Sequence, residues 1–217
     1  MPTIRDLGAD GINSGSSFNV PIPSGSVAGD RMFMMIRRNY GTTDPAGWEN
    51  IWAPLESGFT YTTLRTKVLD SADILLGYVT VVGANSGPTG WLVAVFEGDV
   101  SWRDPIAASF GGKSNGGDSD LNSDANVEAG DFCLLWAMNT NWSDETFTIP
   151  GSATQLLFHP DSDGVSGCLY SYVPSSDGSF ATRHHNLWSG TCYQAILAFY
   201  DAVPEVPRRR RRLVVSS

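Results

Sequence analysis

The chain has 217 residues, 41% of them hydrophobic and 17% charged, with 14 basic against 23 acidic side chains and a net charge of −9. That is apolar material for one large domain or two small ones, and the acidic balance argues against a body built to bind nucleic acid. No stretch approaches the roughly 18 apolar residues of a membrane helix, and the opening MPTIRDLGADG lacks the basic start and apolar run of a secretory signal, so a soluble protein without an address is expected.

Many glycines and prolines, interleaved with Trp 7, Tyr 7 and Phe 10, give turns separated by bulky strand formers. This composition points to an all-β protein. Residues 1–16 read as an N-terminal arm. Strands are then predicted at 16–22, 30–38, 48–55, 61–69, 73–83 and 90–98, each bounded by Gly, Pro, Asn, Asp or Ser. A connector follows over 100–124, with FGGKSNGGDSDLNSD (110–124) as either a surface loop or a linker. Strands resume at 131–139, 145–151, 154–160, 166–174 and 191–202. No long run has the spacing of a helix, so any helix is expected to be a single turn. So many short strands pack best as a two-sheet sandwich, with a body over 17–205.

A phrase recurs: VAGDRMFMMI at 27–36 and EAGDFCLLWA at 128–137. Gly admits φ > 0 and Asp bonds nearby amides, so each Ala-Gly-Asp is expected to form a tight turn that launches a buried strand. With these turns aligned, DPAGW (44–48) falls near TIPGS (148–152), ILLGYVTVV (74–82) near GCLYSYVP (167–174), and GWLVAVFEGD (90–99) near CYQAILAFYDA (192–202). Two pseudo-repeats of about 75 residues within 18–99 and 125–202 follow, making a jelly-roll-like sandwich.

The succession P-x-G-x-x-A-G-D (Pro23 to Asp30), a buried strand, P-A-G-W (Pro45 to Trp48), a middle strand and GWLVAVFEG resembles a class of β-sandwich proteins common in tailed-phage genomes, usually called minor tail or virion structural proteins. The resemblance spans roughly residues 18–202, and the second unit departs from it where Ser152 stands in place of a Trp. It implies a non-enzymatic virion component, in a tail-tip, fibre or capsid-decoration position, with no catalytic residues or cofactor. Its partners would be other virion proteins and further copies of itself.

Setting aside the five arginines of PRRRRRLVVSS leaves 9 basic against 23 acidic residues, so the body has a net charge of −14 and the end is basic. Arg208, Arg209, Arg210, Arg211 and Arg212, with Leu213, Val214 and Val215, form a C-terminal arm over 206–217. A solvated tail and a phosphate-binding arm are both readings of such a run. The reading adopted is assembly: Arg forks on carboxylates of a neighbouring subunit, and Leu-Val-Val on a sheet edge or groove.

No nucleophile elbow, P-loop or placed base is present in the sequence. His184 and His185 are adjacent and are expected on opposite faces of a strand, which suits no shared metal; Asp161 and Asp163 in FHPDSDG, and the DSDLNSD carboxylates, read as polar turns. Trp91 and Trp136 are expected in the core. Trp102, Trp142 and Trp188 stand beside polar turns, as caps of the sandwich end or as a rim that touches a host-surface glycan or a protein. Cys133, Cys168 and Cys192 are expected as free thiols, with a Cys168–Cys192 bridge open if their strands are neighbours.

Overall fold

A computed structural model of the protein describes residues 1–12, 16–39, 42–43, 45–52, 60–83, 89–103, 106–110, 117–123, 127–139, 146–148, 153–159, 166–175, 180–186 and 192–200. For 106–110, 117–123, 146–148 and 180–186 it gives the backbone path.

The protein is an all-β sandwich, and the sandwich is doubled. The first unit runs through β1 (Ile4–Ile12), β2 (Ser17–Pro21), β3 (Arg31–Asn39), β4 (Thr42–Thr43), β5 (Glu49–Trp52), β6 (Thr60–Val68), α1 (Ser71–Leu76), β7 (Tyr78–Gly83) and β8 (Thr89–Phe96). Its large sheet has the order β1-β8-β3-β6-β5, and its small sheet the order β2-β7-β4. The second unit continues with β9 (Ser101–Trp102), β10 (Ile106–Phe110), β11 (Gly117–Ser123), β12 (Phe132–Asn139), β13 (Thr146–Thr148), β14 (Thr154–His159), β15 (Ser166–Tyr172), β16 (Phe180–Asn186) and β17 (Cys192–Tyr200). Its large sheet runs β10-β17-β12-β15-β14 with β9 also on β17, and its small sheet runs β11-β16-β13. With β9 and β10 read together as the counterpart of β1, the two strand orders are the same. Each is jelly-roll-like, eight strands in two antiparallel sheets, with the fifth strand (β5 and β14) added to the edge of the large sheet.

The two large sheets face each other. Phe33, Met35, Leu92, Ala94 and Phe96 of the first unit share one buried cluster with Leu134, Trp136, Leu169, Leu197 and Phe199 of the second. The opposite faces are covered by the small sheets: Met32, Met34, Ile36, Trp91, Val93 and Val95 meet Phe18, Val20, Val79 and Val81. In the second unit Cys133, Leu135, Ala137, Cys168, Ile196 and Ala198 line the corresponding outer core. This explains why β8 is buried at every position while β2 alternates exposed and buried. A strand covered on both faces reads as one continuous apolar run, a habit usual in parallel sheets and produced here by stacking antiparallel ones. The large sheets approach closely where β15 carries Gly167: a Cβ there would stand 3.2 Å from a Leu92 methyl on β8. Phe33, Phe96 and Phe199 form a ring cluster across the same interface, with Phe33 edge-on to Phe96 at 5.7 Å and to Phe199 at 5.2 Å.

Three arginines are buried in the first unit, Arg37, Arg38 and Arg65. Arg37 donates to Thr62 Oγ1 at 3.2 Å, Arg65 donates to the Thr43 carbonyl at 3.5 Å, and the Arg38 guanidinium lies over the Phe18 ring at 5.3 Å. Gly83 fits beside Arg38 because a Cβ there would overlap the guanidinium.

Several expectations are corrected. Residues 1–16 are not an arm: Ile4–Ile12 pair along β8 from Phe96 to Thr89. The 100–124 connector carries β9, β10 and β11, which pair with β17 and β16. The run 73–83 is not one strand, since Asp70 and Asp73 form a reciprocal capping box and Gly77, at φ 75°, ends α1 before β7 begins. The counterpart of β7 is β16, which was not anticipated, so 74–82 does not correspond to 167–174; β15 occupies the place of β6. Cys168 on β15 and Cys192 on β17 flank β12 opposite Ala137 and Asn139, two strand spacings (about 9–10 Å) apart across the sheet and two residues apart along it, beyond disulfide reach. Cys133 and Cys168 are buried and unbridged. Among the described residues no helix is long and apolar enough to cross a membrane.

Candidate functional site

The twice-written phrase folds the same way twice. The Asp30 amide bonds the Val27 carbonyl at 3.2 Å and the Asp131 amide the Glu128 carbonyl at 3.1 Å, closing two β-turns. Gly29 and Gly130 hold φ 97° and 88° in them, a region that favours glycine. Each aspartate is then buried, at 2% and 5% exposure, with its carboxylate turned back onto the turn. Asp30 accepts from the Val27 amide at 2.9 Å and from the Gly98 amide at 3.0 Å, and Asp131 accepts from the Glu128 amide at 2.8 Å.

Each buried carboxylate also has an arginine. Arg5 Nε lies 2.6 Å from Asp30, and Arg103 Nε lies 2.9 Å from Asp131 while its Nη2 reaches Glu128 at 2.8 Å. Arg5 and Arg103 are structurally equivalent, each one residue past the position that pairs with Phe96 or Phe199. The sequence carries this match as Ile4-Arg5-Asp6 and Trp102-Arg103-Asp104, a second repeated signature that alignment on Ala-Gly-Asp alone misses. Burial pushes the Asp30 pKa up, but the Gly98 and Val27 amides and Arg5 outweigh it and hold the carboxyl below its ordinary value. The hydrogen bond to Asp131 raises the Arg103 pKa against the opposing effect of burial.

The second clamp lies beside a depression at the seam between the units and touches it through Tyr200. Arg103, fixed by Asp131 and Glu128, lies over the Tyr200 ring at 4.8 Å. Across the β9–β17 pairing Tyr200 sits opposite Ser101 and Phe199 opposite Trp102. Trp102 is half-buried, edge-on to Phe33 at 5.4 Å, with the Arg31 guanidinium over its ring at 4.7 Å. Arg31 is in turn held by Asp99 at 2.6 Å and by Thr66 Oγ1 at 3.3 Å. Arg31, Asp99, Val100, Ser101, Trp102 and Tyr200 border a shallow, solvent-open depression of about 390 Å³.

Of the residues singled out in the sequence, Trp102 therefore borders this depression, while Trp91 and Trp136 are core. Trp142, Trp188, the arginines at 208–212 with Leu213, Val214 and Val215, and the Asp161–Asp163 turn lie outside the described residues. His184 and His185 occupy consecutive positions of β16, and the DSDLNSD aspartates Asp118 and Asp120 lie on β11. Asp99 and Ser101 were missed although they adjoin Trp102, and Arg31 and Tyr200 were missed because they lie far from that stretch in sequence and only the folded sheets bring them to it. Among the described residues no three His, Cys, Asp or Glu side chains gather as metal ligands. Comparison of the chain with protein-family models, with curated proteins and with solved structures yields no match.

Proposed function

We propose that the chain is a non-enzymatic structural component of a tailed-phage particle, a minor tail protein that assembles in multiple copies with itself and with other virion proteins. The observation that carries this reading is where the polar chemistry is spent. The buried carboxylates of Asp30 and Asp131 bind turn amides and arginines, and so brace the two sandwiches. An internally duplicated, doubly cored body of this kind is a rigid spacer, presenting two small sheets outward and leaving recognition to loops and ends. The sequence resemblance supplies the virion setting, and the basic C-terminal segment on an acidic body supplies a means of joining subunits by Arg–carboxylate pairs.

The reading is tested by deleting residues 207–217 and imaging purified particles with a labelled antibody against the body. The truncated protein is expected to fold with unchanged β-sheet circular dichroism and to be missing from particles that incorporate the full chain. Full incorporation of the truncated protein would overturn the role of the arm, and absence of the full-length chain from any particle would overturn the virion reading.

A further inference from the structure

We infer that the end of the body that carries α1 is the dock for the basic arm of this same chain: the arginines at 208–212 lie against its carboxylates, and Leu213, Val214 and Val215 cover Leu75, Leu76 and Val27. The inference goes beyond the virion reading and does not need it, since it concerns the free chain.

Both Ala-Gly-Asp turns face the same end. Phe33, three residues past Asp30, and Phe132, next to Asp131, both stand edge-on to Phe96, at 5.7 Å and 6.3 Å. α1 belongs to this end as well. The Gly29 amide bonds the Leu69 carbonyl at 2.8 Å and the Ile22 amide the Gly77 carbonyl at 3.0 Å, so the segment before β3 is tied to both flanks of the helix. β17 finishes here too, with Phe199 opposite Phe132 and Tyr200 opposite Ser101, so the chain that leads to the arm leaves from the end that the arm would cover.

This end is both apolar and acidic. Leu75 is 90% exposed, Leu76 55% and Val27 48%, while Ile74 beside them packs on the core. The wiring does not demand that exposure: the second unit joins β15 to β16, its counterparts of β6 and β7, through VPSSDGS (173–179), which has no leucine. Neighbouring apolar side chains kept in water on a capped helix, rimmed by charges, mark a contact surface. The ion pairs at this end set seven carboxylates against four basic side chains, a surplus of three negative charges. Four of those acids, Asp70, Glu97, Asp99 and Glu128, are half or more exposed and keep acceptor sites open to solvent.

Such a surface fits a run of cations followed by a short apolar segment, and RRRRRLVV (208–215) is that sequence. It is also within reach. The thirteen residues 201–213 span at most roughly 40 Å, whereas α1 packs on β7, two sheet spacings or about 20 Å from the sheet of β17. A segment tethered this closely has an effective concentration in the mM range, so in dilute solution a chain's own arm outcompetes the arm of another copy.

The test uses the full chain carrying Val214→p-benzoylphenylalanine, irradiated at about 5 μM as an equal mixture of unlabelled and ¹⁵N-labelled protein, with the adducts mapped by mass spectrometry. The main adducts are expected within one chain, on residues 21–29 or 69–77. Their yield is expected to fall about threefold or more between roughly 0.05 M and 0.5 M salt, and likewise in the Leu75→Ser, Leu76→Ser double variant, whose unchanged melting temperature shows that folding is not the cause. Absence of adducts, adducts elsewhere on the body, adducts joining labelled to unlabelled chains, or a yield that either change leaves unmoved would overturn the inference. Each of these results is independent of whether the arm-deleted chain enters particles.

Discussion

Arg103 donates to the Asp131 carboxylate from the same place in the strand order that Arg5 occupies toward Asp30, at 2.9 Å and 2.6 Å. In both units an arginine near the start of the first strand fastens the turn that launches the central strand, so the outermost part of the large sheet is tied to its middle by an ion pair between a partly exposed guanidinium and a buried carboxylate as well as by the ladder. Removing the arginine is the strongly destabilising break, because the aspartate charge then stays buried without its partner.

The first pair gives the protein an acid-side dependence. Asp30 has its folded pKa below its ordinary value, so its contribution to stability is fully present above the unfolded carboxylate value, near 3.9, and is lost as the pH falls through the lower folded one. Asp30→Asn is expected to cost about 2 kcal/mol at pH 7, with the gap to the parent protein closing towards pH 3. Urea unfolding at pH 7, 5 and 3 measures it, and a gap independent of pH would show that the charge of Asp30 is not what stabilises the turn.

Gly29 and Gly130 have open space where a Cβ would sit, so substitution there meets a conformational penalty and no clash. Gly29→Ala and Gly130→Ala are each expected to lower stability by about 1–2 kcal/mol, and Asn at either place by less, since Asn tolerates left-handed backbone better. Thermal denaturation of the four variants decides. An alanine variant as stable as the parent would mean that the turn has another conformation in solution.

Leu92 and Gly167 report on the packing of the two large sheets. Gly167→Ala forces Leu92 to yield and is expected to cost about 1–3 kcal/mol, while Leu92→Ala leaves a cavity worth about 2–5 kcal/mol. The double variant is expected to lose less than the sum, with a coupling of about 1 kcal/mol, because the new methyl fills part of the vacated space. Strict additivity in a denaturation cycle would contradict face-to-face contact at this point.

Cys133 is a buried thiol whose pKa is pushed up to about 12, first by burial and then by the charge of Asp131. In native protein at pH 8 it is expected to resist iodoacetamide, reacting only at the rate of unfolding; denaturant exposes it to full labelling. Cys168, also buried, is expected to behave alike. Peptide mapping after timed labelling gives the rates, and modification of either thiol within minutes in native buffer would place it at the surface.

Much of this architecture is readable in the residues, and the failures have physical causes. The central strands are evident because burial on both faces makes them unbroken apolar runs, and the Ala-Gly-Asp turns are evident because both need a φ > 0 glycine before an amide-binding aspartate. The first strand was hidden: Asp6, Gly8, Asp10 and Gly11 interrupt its alternation, and it lies at a sheet edge, where pairing to β8 and not composition holds it extended. α1 was absorbed into a neighbouring strand because Ile74, Leu75 and Leu76 run on to the apolar β7, although the Asp70–Asp73 box and Gly77 marked both its ends. Of the depression at the seam only Trp102 was visible, since Arg31 and Tyr200 come to it through the pairing of β17 with β9 and the meeting of two units.

The shared core between the large sheets also has a consequence for synthesis. The ribosome finishes the first unit before the second exists, and at about 5–20 residues per second roughly a hundred further residues take several seconds. During that interval the face bearing Phe33, Met35, Leu92 and Phe96 has no cover. The natural competitor for it is the same face on a neighbouring nascent chain, whose strand order matches the missing partner. Yield at high expression is therefore set by a race between the arrival of β12 and β17 in cis and the exchange of halves in trans, and slower initiation or dilution favours the monomer.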